Sequence, residues 1–315
     1  MRTRTGRAGA AVAAAAVLVL TLGLFLVIRG SGGGQAAAAS TGSTPRPAGQ
    51  AAAFGAGQDP AGNAQAAPVQ RADPLAAGAA YAAGRAGSVL AAVYDVRTGQ
   101  TWRLGTGQPQ AEASVVKLDI LETLLARRDG AALGRGDQTL AQAMIEDSDN
   151  DAATSLWDKA GGASGLSAYD DQAGLTSTTP SPCVDCAGFA WPGWGLTTTV
   201  PYDQLTLLKQ LIVPGQRPLL SDTARSYALS LMENVAPDQR WGVSGGVPAG
   251  VTVALKNGWL PLNAANTNWQ VNSVGWVSGD GRDYLIAVLS TGSPTEQYGI
   301  DTINDLSARV WSALG

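Results

Sequence analysis

The chain has 315 residues, 45% of them hydrophobic, a net charge of −4, two cysteines and no histidine. That balance leaves no basic footprint for nucleic acid, and the missing histidine rules out a Ser-His-Asp triad. Lysine occurs only at 117, 159, 209 and 256; since arginine stays protonated at any working pH, one of these lysines is the natural place to look for a basic side chain that accepts a proton.

Residues 1–30 read as a signal peptide or an N-terminal membrane anchor. Arg2, Arg4 and Arg7 precede an apolar run over 8–28 that Arg29 closes. The run is long enough to span a bilayer, and the small residues at 36–39 offer a cleavage site, so removal and retention both stay open. In either case the arginines remain inside and the rest is translocated. An extracytoplasmic protein is expected, secreted or tethered to the membrane through this segment alone. Both cysteines lie far downstream, so no N-terminal lipid is expected. Residues 31–72, mostly Gly, Ala, Ser, Gln and Pro, read as a disordered linker that cannot bury a core.

The folded domain is expected over 73–315. Asp73 caps and Pro74 opens a short helix over 74–85. Ser88–Val96 reads as a strand, 97–100 as a turn and Thr101–Gly105 as a second strand. From 113 to about 234 the signals are helical. Leu118, Leu121, Leu124 and Leu125 form an i, i+3, i+4 stripe that Arg127, Arg128 and Gly130 would end. Further helices are expected near 138–146, 151–160, 203–213 and 222–234. Strand patterns return at 251–258, 268–277 and 283–291, and a last amphipathic helix covers about 295–314. Strands at both ends of the domain with helices between predict an α/β (α+β) fold: one sheet built from both ends, flanked by helices, with an inserted all-helical subdomain.

Three polar motifs follow one another in this frame. Ser114 and Lys117 stand three apart at a helix start and so share a face. The first-turn N–H groups lack intrahelical partners and can hold an oxyanion. The helix end and a second cation, Lys256, would lower the Lys117 pKa. Ser148-Asp149-Asn150 lies between two helices; Ser148 could relay a proton and Asn150 hold a substrate amide, while Asp149 or Asn150 could equally cap the next helix. Lys256-Asn257-Gly258 contains the hairpin signal Asn-Gly. Pro261 in the strand that would follow favours a strand running through to Trp259 instead. Gly258 then permits close backbone approach, and the Trp259 N–H becomes a second oxyanion donor.

In order and spacing, Ser-x-x-Lys, Ser-Asp-Asn and Lys-x-Gly resemble the class A β-lactamase and penicillin-binding protein superfamily of serine hydrolases. The likeness extends over 73–315, through AVYDVRTGQ, IEDSDNDAA, TTTVPYDQLTLLKQL and VNSVGWVS. It implies that Ser114 is the acylated nucleophile, Lys117 its base, Ser148 a proton relay, and Asn150 a ligand of the substrate amide. Lys256, Asn257, Gly258 and Trp259 would form the sheet edge that holds the substrate. The implied substrate is a β-lactam or a cell-wall peptide. The alternatives are a D-Ala-D-Ala-type peptidase or transpeptidase and a non-catalytic binding domain. No metal or other cofactor and no nucleic acid are expected, and the protein is expected to be a monomer.

Three departures from the family pattern stand out. The first two motifs lie closer together than in typical class A enzymes. Asn257 replaces a Thr or Ser. The glutamate that activates the deacylating water has no clear counterpart; Asp185 is the only acid over 175–197, and it is shorter. Cys183 and Cys186 flank Asp185. No further cysteine or histidine exists to complete a zinc site, so a small disulfide loop is expected, worth about 2 kcal/mol. Trp191 and Trp194 read as packing residues or a cleft wall.

Overall fold

A computed structural model describes residues 70–127, 133–186, 191–215 and 218–315. The expected export segment and nearly all of the expected linker lie outside the described residues, as do Arg128 and Gly130. Among the described residues no helix is long and apolar enough to cross a membrane.

The main sheet has five strands in the order β2-β1-β7-β6-β5: β1 (Ser88–Asp95), β2 (Thr101–Leu104), β5 (Thr252–Pro261), β6 (Trp269–Gly279) and β7 (Arg282–Ser293). Every pairing is antiparallel. The first strand pairs along its whole length with the last, from Ser88↔Thr291 to Asp95↔Tyr284. The sheet is thus assembled from both ends of the domain, as expected. The period-2 alternation of strands sorts its side chains onto two faces. Val89, Ala91, Val93, Val253, Leu255, Ile286 and Val288 pack with Ile303, Leu306 and Val310 of the C-terminal helix α8 (Glu296–Ala313). The opposite face gives Ala92, Ala254, Leu285 and Ala287 to the helical layer. α1 (Ala76–Ala83) packs on α8. It begins two residues after Pro74, where the Asp73 carboxylate accepts from the Leu75 N–H at 2.8 Å.

The helical layer surrounds α2 (Val116–Ala126). Ten of its eleven residues are buried, including Lys117, Asp119, Glu122 and Thr123. A one-sided leucine stripe therefore understated its burial: α2 is a central helix, covered on all sides. Around it stand α3 (Arg135–Glu146), α4 (Asn150–Ala160), α5 (Gly162–Ala173), α6 (Pro201–Ile212) and α7 (Asp222–Glu233). Asp149 is the cap of α4, its carboxylate accepting from the Ala152 N–H at 2.7 Å. The pattern had no signal for α5, nor for the two-residue ladder of β3 (Gln110–Ala111) with β4 (Thr198–Thr199). Asn257-Gly258 is not a hairpin turn. β5 continues to Pro261, which pairs with Trp269 at the strand end.

Candidate active site

Ser114 sits in a 3-10 turn, Ala113–Val115, that runs directly into α2. Ala113 takes a left-handed conformation, φ 51°, which sharpens the entry. β5 lies against this turn because residue 258 has no side chain. A Cβ there would fall 2.6 Å from the Ser114 nitrogen and 2.8 Å from both the Glu112 carbonyl and the Val115 nitrogen. From the other side Asn272 of β6, opposite Gly258 in register, donates from Nδ2 to the carbonyls of Ala111 and Glu112 at 2.8 and 2.9 Å. Two strands thus fix the backbone before the serine.

The three motifs meet on the Ser148 hydroxyl. Lys117 Nζ donates to Ser148 Oγ at 3.0 Å and Lys256 Nζ donates to the same oxygen at 2.9 Å. Ser148 is held at φ 58° between α3 and α4, a conformation uncommon for a residue with a side chain. Lys117 also donates to the Ser148 carbonyl and, at 2.7 Å, to Asn150 Oδ1. Lys256 donates to the Asn257 carbonyl at 2.9 Å. Both ammonium groups are buried. Burial lowers the Lys117 pKa to about 7, against some opposition from the Asp149 carboxylate. Burial, and after it the charge of Lys117, pushes Lys256 well below the ordinary lysine value. Removal from water is thus the chief cause for both amines. Trp194 lies with its ring 5.1 Å from Lys117 Nζ.

A narrow cavity of about 70 Å³ opens beside this cluster, lined by Ser114, Asn150, Trp191, Trp194, Trp259 and Leu260 among others. Asn150 uses its oxygen on Lys117, and its Nδ2 makes no hydrogen bond within the described residues. Trp194 Nε1 donates to Thr154 Oγ1 and Trp191 Nε1 to Asp151 Oδ1, each at 3.2 Å. The Trp259 ring packs 5.9 Å from that of Trp241. Nothing in the sequence beyond their position after the cysteines set Trp191 and Trp194 apart as cavity walls.

Two expectations change. Asn257 was expected to bind substrate, but it shares the face of Val253 and Leu255 rather than that of Lys256 and Gly258. Its Nδ2 donates to the carbonyls of Gln239 and Trp241 at 2.6 and 3.1 Å. Both amide protons are committed inside the protein, because successive strand residues point to opposite faces. Asp185 is exposed within the Cys183–Cys186 disulfide loop, and among the described residues neither it nor any other carboxylate lines the cavity.

Carboxyl groups lie instead behind the nucleophile turn. Glu112, Asp119, Glu122 and Asp170 are all buried. Gln204 Nε2 donates to Glu112 Oε1 at 3.2 Å, Thr123 Oγ1 to Asp119 Oδ1 at 3.2 Å, and Tyr169 OH to Glu122 Oε2 at 2.7 Å. Burial drives the first three well above the ordinary carboxyl range. It is also the main reason Asp170 rises to about 7. No group of three or more His, Cys, Asp or Glu among the described residues is arranged to hold a metal ion.

Comparisons with known proteins agree with this architecture. The crystal structure of the TLA-1 extended-spectrum β-lactamase superposes with a TM-score of 0.68 at 16% identity, over 76% of this chain and 98% of that one. The structure of PBP-A gives 0.62 at 21% identity, over 76% and 95%. At these identities the likeness is one of fold. A Mycobacterium tuberculosis protein named "Putative lipoprotein LppW" is 29% identical over 216 residues, 66% of this chain and 65% of its own length. The match thus leaves about a third of that relative uncovered. The family model described as the β-lactamase enzyme family matches residues 137–314. With more than half of the chain matched and the same helical layer on the same sheet, this protein belongs to the β-lactamase enzyme family.

Proposed function

We propose that the chain is an exported serine hydrolase that is acylated on Ser114 by a β-lactam or a peptidoglycan-like peptide. The observation that carries this reading is the Ser148 hydroxyl bridging two buried lysines next to the Ser114 turn. The Ser114 hydroxyl attacks the substrate carbonyl, and the neutral Lys117 amine, with its pKa lowered to about 7, takes the proton. The N–H groups of Ser114 and Trp259 hold the oxyanion. Collapse of the tetrahedral intermediate breaks the C–N bond, and the leaving nitrogen takes a proton through Ser148, which Lys117 and Lys256 keep supplied. Asn150 Nδ2 holds the acyl amide.

The product of these steps is an acyl-enzyme. Its hydrolysis needs a base to activate water, and no carboxylate among the described residues lines the cavity. That favours a long-lived acyl-enzyme, as in a D-Ala-D-Ala-type peptidase or transpeptidase, over fast β-lactam turnover. A relative named as a lipoprotein and the apolar run over 8–28 both support an extracytoplasmic place.

Incubation with a fluorescent penicillin, followed by peptide mass spectrometry, tests the reading. The expected result is an adduct on Ser114 that lasts for hours. Lys117→Arg, which keeps the charge but supplies no neutral base, should abolish it. Labelling of Lys117→Arg at the wild-type rate would remove Lys117 from the proton-accepting role, and the absence of any adduct would leave a binding domain.

A further inference from the structure

A second groove, with no lining residue in common with the cavity beside Ser114, lies between the outer strands β1 and β2 and the start of α6. It holds about 630 Å³, the size of an ordinary ligand site. Leu90, Leu104, Val200 and Pro201 give it apolar walls. The segment after β2 packs onto β1 because two of its residues have no side chain. A Cβ on Gly105, held at φ 78°, would fall 2.8 Å from the Val89 carbonyl oxygen, and one on Gly107 would fall 3.2 Å from Leu90 Cδ2. Thr106 and Ser177 add hydroxyls to the lining.

Two cations gather here without a counter-ion. Arg103 stands opposite Ala92 in the sheet and is exposed, with its guanidinium 3.9 Å from the centre of the Tyr202 ring. Residue 209 lies about two helical turns beyond residue 202, on the same face of α6. Its Nζ is 3.9 Å from the Tyr94 ring and 5.8 Å from that of Tyr202, so both charges share one aromatic ring. Among the described residues neither Arg103 nor Lys209 makes a hydrogen bond or an ion pair, and no carboxylate lines the groove. Asp203, next in sequence to Tyr202, turns inward. Its Oδ2 accepts from the Thr176 and Ser177 N–H groups and from the Thr178 hydroxyl. Burial, and after it the charge of Arg103, lowers the Lys209 pKa, as expected of two cations that face each other uncompensated. In a chain of net charge −4 the pair is a local excess of positive charge beside an open groove.

We propose that this groove binds an organic phosphate, with the phosphate at Arg103 and Lys209 and the organic part along the apolar walls. A guanidinium stacked on an aromatic ring keeps its N–H edge free, and that edge matches two oxygens of a phosphate. Lys209 supplies a second positive charge for the second negative charge of a phosphate monoester. The Thr106 and Ser177 hydroxyls can donate to a tetrahedral oxyanion from directions that a planar carboxylate does not offer. The site is apart from Ser114 and needs no acylation there.

Titration calorimetry of the full chain with 1-naphthyl phosphate at neutral pH tests the site. One molecule should bind per chain, at least about tenfold more tightly than 1-naphthol, 1-naphthoate or inorganic phosphate. Arg103→Ala should weaken it at least about tenfold, and Lys209→Gln about threefold or more. Arg103→Lys, which keeps the charge and loses the fork, should fall between Arg103→Ala and wild type. Thermal unfolding without ligand checks that the variants are folded. Added salt should weaken the phosphate and leave 1-naphthol unchanged. Dihexanoyl phosphatidic acid, kept monomeric, identifies the source: tighter binding than 1-naphthyl phosphate assigns a lipid headgroup, and weaker binding a soluble phosphate. Ser114→Ala should bind 1-naphthyl phosphate as wild type does, and loss of binding there would move the phosphate to the cavity beside the serine and overturn the proposal. It is equally overturned by no binding in wild type, by equal affinity for 1-naphthoate or inorganic phosphate, or by unaltered affinity in both Arg103→Ala and Lys209→Gln.

Discussion

Lys117 shows how far burial can shift the chemistry of a side chain. A lysine with a pKa of about 7 is half neutral at neutral pH, so the acylation rate should climb about tenfold per pH unit below 7 and level off above it. Acylation rate constants from pH 5.5 to 8.5 check this, and a flat profile would assign the proton to another acceptor. Asn257 stands on the other face of the same strand and does structural work. Asn257→Ala strips two buried carbonyls, those of Gln239 and Trp241, of their donors and should cost about 2–3 kcal/mol. Denaturant unfolding measures that cost, and acylation of the protein that remains folded should persist. The resemblance put Asn257 in the site because motif order carries no information about faces. Its neighbours Val253 and Leu255 held that information, since residues two apart on a strand share a side. That Lys117 and Lys256 would meet, as they do on Ser148 Oγ, was legible because the chain has so few lysines. Trp191 and Trp194 were not, because a tryptophan among Pro and Gly looks the same whether it fills a core or lines a cavity.

At the scale of elements, β5 and the turn before α2 act as one unit, and Gly258 is the reason they touch. Gly258→Ala would push a methyl into the Ser114 and Val115 nitrogens and the Glu112 carbonyl, backbone atoms that cannot swing aside. Displacing the strand should cost about 1–3 kcal/mol of stability, and a 1 Å misplacement costs about a hundredfold in rate. Wild-type acylation by Gly258→Ala would show that this contact does not position the serine. The strands and most helices were legible from their alternation and spacing. α5 was not, because GASGLSAYDDQA is a poor helix former on propensity alone. It is stabilised by burying Leu166, Tyr169 and Asp170, contacts that exist only once the other helices stand around it. The two-residue strands β3 and β4 are below the length at which alternation carries a signal.

On the scale of the whole molecule, the buried acids shape the response to pH. The folded pKa values of Glu112, Asp119, Glu122 and Asp170 lie above their ordinary ones, so the native state binds more protons than the unfolded chain. Their sign is opposite to that of a salt-bridged carboxylate. Stability is greatest below the ordinary carboxyl pKa of about 4 as far as these groups are concerned, and each proton costs about 1.4 kcal/mol per pH unit above it until its folded pKa is passed. For Asp170 that window closes near 7. Lys117 and Lys256, buried with lowered pKa values, act in the opposite sense, so the carboxyl contribution is read as a difference between variants: in urea unfolding, Asp170→Asn should gain stability over wild type on going from pH 5 to pH 7.5. No gain would mean that Asp170 is ionised and paired in the native state.

The seam between β1 and β7 has a consequence for how the molecule comes into being. Ser88 waits for Thr291 and Asp95 for Tyr284, partners made roughly two hundred residues later, the kind of distant pairing that slows closure. A growing polypeptide cannot finish this sheet until Arg282–Ser293 has emerged. Stopping synthesis before Arg282 would leave β1 with β2 as its one neighbour in the sheet.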